Sequence, residues 1–220
     1  MNHKKLHTIE EIANALKTKL ELCKSDKIKH SLICNYDKNH QLLNLLKINE
    51  INNCQRCKLC DSRKNIVFGS GNPNAKLVFI GEAPGEEEDL HGMPFIGRSG
   101  QLLDKMIQAI NLTRQQVYIC NIIKCRPPKN RNPYLHEIET CRPFLTKQLQ
   151  IINPSVIVTL GYFACRGLLN LDDKFSNLRG NWMNYHGINV MPTFHPAYLL
   201  RNPCYKRETW EHLKRAITKL

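Results

Sequence analysis

The chain has 220 residues, enough for one sizeable core and a small extension. No run approaches the roughly 20 apolar residues of a membrane span, and the N-terminus MNHKKLHTIEE lacks the apolar stretch of a secretory signal. A cytoplasmic protein with reduced thiols is therefore expected, and its 32 Lys and Arg against 19 Asp and Glu, a net charge of +13, point to a polyanionic partner.

Residues 1–50 read as a helical extension, distinct from a domain over 51–220. Thr8 and Glu11 fit a capping box, and Ile9, Ile12, Leu16, Leu20 and Cys23 share one helical face. The apolar cluster Leu42 to Ile48 suggests a second short helix. Next, CQRCKLC (54–60) packs three of the chain's ten cysteines into seven residues. It starts like a bacterial ferredoxin run, but Lys64 stands where that run needs its fourth cysteine. A reducing compartment disfavours a disulfide framework, so about four cysteines are expected to ligate metal and the rest to pack as small hydrophobes.

From residue 76 the pattern alternates strand and helix. KLVFIG (76–81), VYICNII (117–123), SVIVTLG (155–161) and INVMPTF (188–194) read as buried strands. Helices are expected over 98–110, from Leu135 to about Ile151, over YFACRGLL, and over about 206–219. Four such strands separated by helices argue for a four-stranded parallel sheet covered on both faces, an α/β/α sandwich.

In open α/β sheets a ligand site lies beyond the carboxyl ends of the strands. GEAPGEEED (81–89) puts glycines and Glu82 after the first strand, where backbone N–H groups can approach a ligand. PFIGRSGQ (94–101) offers Phe95 as a stacking platform. NIIKCRPPKNRNP (121–133) carries Asn121, whose amide both donates and accepts, ahead of a basic stretch. FHPAYLLRNP (194–203) sets His195 at the last strand end, followed by apolar and basic groups. Cys125 and Cys141 are fifteen residues apart in the intervening sequence and, with a CxxC pair from 54–60, make a four-thiolate set. By spacing, zinc and an iron–sulfur cluster both remain open.

Taken together and in order, CQRC, FGSGNPNAKLVFIGEAPGEEED, GMPFIGRSGQLLD, VYICNIIKCRPPKNRNP and FHPAYLLRNP resemble the family 4 uracil-DNA glycosylases, the iron–sulfur type, over roughly residues 51 to 214. The resemblance implies a three-layer α/β/α fold with a [4Fe–4S] cluster on Cys54, Cys57, Cys125 and Cys141, leaving Cys60 a bystander. It implies a uracil pocket of Gly81, Glu82, Ala83, Glu88, Phe95, Asn121 and His195. Phe95 would stack on the flipped base, Asn121 would read its O4/N3 edge, His195 would bond O2, and Glu88 would crowd C5 against thymine. Glu82, Asn121 and His195 would be the catalytic set, Glu82 standing in for an aspartate that family 1 relatives carry where this chain has Ala83. Leu199, Leu200 and Arg201 would fill the gap left by the base, and Lys124 and Arg126 would hold phosphates. No Arg-rich insertion follows KCRPP, so a hydrolase is expected rather than a relative that links covalently to DNA. The implied substrate is uracil in single- or double-stranded DNA, acted on by a monomer that removes the product of cytosine deamination. The competing reading is a non-enzymatic, zinc-dependent nucleic-acid-binding module.

Overall fold

Val-, Ile- and Leu-rich runs between residues 77 and 193 form the centre of the computed structural model, which describes residues 38–220. The strands are β1 (Ser70–Gly71), β2 (Leu77–Gly81), β3 (Tyr118–Asn121), β4 (Val156–Leu160), β5 (Met183–Tyr185) and β6 (Ile188–Thr193). Their order is β1-β3-β2-β4-β6-β5. The middle four run parallel and the two edge strands are antiparallel to their neighbours. The expected parallel sheet is therefore present, extended to six strands by β1 and β5. Those two hold only two and three residues, too few for an alternation to register in the sequence.

The helices are α1 (38–46), α2 (Glu86–His91), α3 (Arg98–Ala109), α4 (Leu135–Ile152), α5 (Tyr162–Leu169), α6 (Phe175–Leu178), α7 (Pro196–Arg201) and α8 (Lys206–Ile217). Alternate residues of each strand serve opposite layers, as the pleat requires. Val78, Ile80, Tyr118, Cys120, Ile157 and Val190 share one core with Leu43 and Leu46 of α1, Phe144 and Leu145 of α4, and Leu168 of α5. Leu77, Phe79, Ile119, Val156, Val158 and Met191 share the other with Leu103 and Ile107 of α3 and Leu213 of α8. Every residue of β2 and β4 is buried, which explains their unbroken apolar sequence.

The helix expected near Leu42 to Ile48 corresponds to α1, which passes into a π-helical turn at Lys47–Ile51. Leu43, Leu46 and Ile51 are buried, and Glu50 pairs with Lys147 of α4 at 2.6 Å. The capping box at Thr8 and Glu11 and the apolar face from Ile9 to Cys23 lie outside the described residues. Among the described residues, no helix is long and apolar enough to cross a membrane.

Candidate active site

The carboxyl ends of β2, β3, β4 and β6 open on one cleft of about 700 Å³. Glu82, Ala83, Glu88, Phe95, Asn121 and His195 line it, drawn from positions 82 to 195 in the sequence. Gly81 ends β2 opposite Asn121 in the β2–β3 register. A Cβ there would lie 2.5 and 2.6 Å from Phe95 Cζ and Cε2, and closer still to Asn121 Oδ1. Only glycine lets the aromatic ring and the amide both crowd onto this strand end.

Phe95 is held in a strained backbone. Its φ is +53°, a left-handed conformation that costs a bulky residue on the order of 1–3 kcal/mol. Two charged groups brace it from opposite sides. Arg114 Nη1 donates to the Phe95 carbonyl at 3.1 Å and to Asp104 Oδ1 at 2.8 Å, while Nη2 donates to the Pro94 carbonyl. Glu88 Oε1 accepts from the Ile96 and Gly97 N–H groups at 2.9 Å each, and Oε2 from the Gly85 N–H at 3.0 Å. Both Glu88 oxygens are thus engaged by backbone donors in the cleft wall. Phe95, 4% exposed, sits with its ring centroid 5.6 Å from that of His195, tilted by 33°.

Three polar groups face the space beside this ring. Asn121 is 1% exposed, yet its Oδ1 has no hydrogen-bond partner among the described residues. An unpartnered buried acceptor costs about 1–3 kcal/mol, a penalty that a donor on a bound ligand removes. His195 is the N-cap of α7, and its Nδ1 accepts from the Ala197 N–H at 3.1 Å. Nδ1 therefore carries no proton in the neutral ring, and Nε2 is the N–H donor. Burial lowers its pKa to about 4, with Arg201 adding to the effect and Glu88 opposing it. The imidazole is neutral at physiological pH. Burial likewise raises Glu82 to about 7, so its carboxyl changes charge near neutrality.

The acidic stretch of the sequence divides by function. Asp89, 2% exposed, accepts from the Lys64 and Asn65 backbone N–H groups at 2.9 and 3.2 Å, tying the segment after the first cysteines to α2. Glu86 faces Arg126 at 3.5 Å.

Two residues expected at the DNA surface are elsewhere. Lys124 is fully buried; its Nζ donates to the Asn121 carbonyl at 2.8 Å and to Gln148 Oε1 at 2.6 Å. It follows two fully apolar residues on the β3 extension, and its side chain turns inward under α4. Leu199 is 1% exposed and belongs to the core shared with α3 and α8. The apolar and basic stretch after His195 is helical, because Pro196 at the first turn and the His195 cap start a helix there. That helix buries Leu199 and leaves Leu200 and Arg201 exposed at its end. Arg126 is half-buried, its Nε donating to Asn130 Oδ1 at 2.8 Å.

A second, smaller cavity lies behind the β3 extension. Cys54, Cys57, Cys125 and Cys141 all line it, and Cys60 does not. Cys60 instead donates to Asp61 Oδ1 at 3.2 Å. Arg63 spans the cavity wall, with Nη1 3.5 Å from Cys125 Sγ and Nη2 2.7 Å from the Cys54 carbonyl. Burial pushes the Cys125 thiol to about 12 and the Cys141 thiol to about 11, so a metal must displace protons there. Among the described residues, no three His, Cys, Asp or Glu side chains converge on one ion. Four thiols lining one cavity make a donor set suited to a thiolate-bound metal centre. Of the remaining described cysteines, Cys120 and Cys165 are buried and pack as expected, whereas Cys204 is exposed and Cys60 is half-buried. Arg114 and Arg63 were missed by sequence reasoning, because each acts on backbone atoms or cysteines distant in the chain and neither sits in a motif.

The geometry agrees with what the chain is similar to. A model of the uracil DNA glycosylase superfamily matches residues 68–214. A type-4 uracil-DNA glycosylase of Thermotoga maritima is 47% identical over 158 residues, covering 69% of this chain and 80% of that protein. A type-4 uracil-DNA glycosylase of Saccharolobus solfataricus is 43% identical over 181 residues, covering 77% and 84%. A type-5 uracil-DNA glycosylase of Pyrobaculum aerophilum is 28% identical over 189 residues, covering 69% and 81%. The chain belongs to the uracil DNA glycosylase superfamily, on its type-4 branch.

Proposed function

We propose that the chain flips uracil out of DNA into the cleft and hydrolyses its N-glycosidic bond, leaving an abasic site. The observation that carries this reading is the buried Asn121 Oδ1 beside the Phe95 ring, unpartnered among the described residues and an acceptor suited to the N3–H of an imide. Cytosine has no N–H at that position, so the same acceptor discriminates against the normal base.

Breaking the bond leaves positive charge on the sugar and negative charge on uracil O2 and N1. The His195 Nε2–H, its tautomer fixed by the Ala197 contact to Nδ1, donates to O2 in this reading as that charge grows. A preorganised donor of this kind contributes on the order of 10²–10³ in rate. Being neutral, it does not have to shed the hydration of a cation when the uncharged base enters. Glu82, with its carboxyl raised to about 7 by burial, orients the attacking water or takes its proton in the ionised form. Extrusion costs a few kcal/mol, least for a mispaired uracil. Leu200 and Arg201, exposed at the end of α7, occupy the vacated stack, and the net charge of +13 draws in the phosphates.

Cys54, Cys57, Cys125 and Cys141 would hold a [4Fe–4S] cluster. Bound there, it would cross-link the 54–60 segment, the β3 extension and α4. The protein is read as a cytoplasmic monomer acting on single- or double-stranded DNA.

A uracil-containing oligonucleotide followed by alkaline scission tests the activity; no abasic product from iron-loaded protein sinks it. Cys57→Ser should abolish the broad absorbance near about 400 nm of an iron–sulfur protein, and Cys60→Ser should leave it intact.

A further inference from the structure

Lys124 is among the largest fully buried side chains of the fold. Among the described residues it pairs with no carboxylate. Its two acceptors are neutral: the Asn121 carbonyl at 2.8 Å and Gln148 Oε1 at 2.6 Å. Gln148 is itself fixed, with Nε2 donating to the Phe68 carbonyl at 2.9 Å and to Tyr118 Oη at 3.2 Å. Removing a cation from water without an opposing charge is among the costliest arrangements a fold can carry. Some compensation is required, and the surroundings name it. Lys124 lines the same cavity as Cys54, Cys57, Cys125 and Cys141, and it is the residue directly before Cys125. Arg63 reaches that cavity from the other side. Four thiolates around a cluster leave net negative charge, and Lys124 and Arg63 are the cations set against it.

We propose that Lys124 is a positioning residue shared by the two sites, neutralising the thiolate cavity while holding the backbone of Asn121 at the mouth of the cleft. Its amine bonds the Asn121 carbonyl while its charge acts on the Cys141 thiol and its main chain continues into Cys125, so a change in one site is felt at the other. The inference rests on reading the four cysteines as cluster ligands and Asn121 as the group that meets the base. It assigns the cluster a consequence for the cleft beyond cross-linking: without the thiolate charge, Lys124 is a buried cation with two neutral partners, and the Asn121 carbonyl loses its anchor when it leaves.

The test uses Lys124→Met and Gln148→Leu in the full chain, purified anaerobically with iron bound. In Lys124→Met the chelator-driven loss of visible absorbance should accelerate about 10- to 100-fold, the usual effect of losing a partner behind a metal ligand. The cluster's reduction potential should move to more negative values, because the electron is added with one positive charge fewer nearby. Turnover per bound cluster should fall about 10-fold or more while KM for the oligonucleotide changes by less than about threefold, since the loss is of alignment and not of DNA affinity. Gln148→Leu, which keeps the amine and removes one of its anchors, should move all three quantities the same way by less. It carries the test alone if circular dichroism shows that Lys124→Met does not fold. Variants with parental potential and chelator sensitivity, or with parental turnover per cluster, overturn the proposal. A parent protein without iron overturns it together with the cluster reading; an iron-loaded parent with indifferent variants overturns the proposal alone.

Discussion

Replacing Gly81 with alanine adds one methyl group at the point where the cleft is tightest. The new Cβ would stand 2.5 Å from Phe95 Cζ, 2.6 Å from Cε2, and nearer still to Asn121 Oδ1. Carbon atoms rest at about 3.5–4.0 Å, so something must yield by about 1 Å. The strand cannot retreat: β2 is central, buried at every residue, and bonded to β3 on one side and β4 on the other. The Phe95 backbone is clamped by Arg114 and by the N–H groups that Glu88 accepts. The ring and the amide are left to move, and these are the groups proposed to hold uracil. Overpacking of this kind costs about 1–3 kcal/mol, and at about 2–4 °C per kcal/mol for a chain of this size Tm should fall by about 2–12 °C. A displacement of about 1 Å at the reacting centre costs about 100-fold in rate. Gly81→Ala should therefore stay folded at 25 °C and lose about two orders of magnitude in kcat/KM on a uracil oligonucleotide. A folded variant keeping more than about a third of parental kcat/KM would refute the claim that the ring and amide are confined against this residue.

Asn121→Ala and His195→Ala should each lose on the order of 10²–10³ in kcat while retaining the visible absorbance, as spectra and single-turnover assays on the same samples will show. For Glu82 the sign follows from burial raising the folded carboxyl to about 7: between its ordinary range and 7 the folded state holds a proton that the unfolded state has lost. That contribution to stability disappears as pH rises through 7, so Glu82→Gln should raise Tm more at pH 8 than at pH 5, measured by thermal melts. If the ionised form works in catalysis, parental kcat/KM should climb through pH 7 and the variant should lose both the climb and most of the activity. Arg114→Ala frees the Phe95 and Pro94 carbonyls and should cost about 10-fold in kcat/KM; Arg114→Lys, unable to serve both carbonyls and Asp104 at once, should recover only part of it.

The four central strands were legible because each is a short apolar run flanked by a motif, and each boundary lies within two residues of the expected one. The same holds for α3, α4, α5 and α8. What escaped was local structure decided by tertiary contacts. No helix is expected over α7, yet a proline at its first turn and a histidine cap start one there. Lys124 reads as a phosphate contact because it stands in a basic stretch, and the sequence has no sign that Gln148, twenty-four residues on, will accept its proton inside the core. Within the acidic run GEAPGEEED, Glu88 and Asp89 spend their carboxylates on backbone N–H groups, which the sequence does not announce. Side-chain chemistry is printed in the sequence; the partner that consumes it is not.

The electrostatics of the cleft and of the whole chain serve opposite ends. A net charge of +13 attracts a polyanion at long range, without regard to which base it carries. Selection of uracil needs the reverse, groups that gain nothing from charge already present and much from charge that develops. A histidine held neutral by burial, a carboxyl with its charge balanced near pH 7, and an amide oxygen with no partner among the described residues meet that condition. An imidazolium would bind the phosphates of any DNA strand entering the cleft and would be weakened by them. In the proposed role, the neutral N–H carries no net charge for the phosphates to attract and its bond strengthens as the bond to the departing base breaks, which is the difference between ground and transition state that raises kcat.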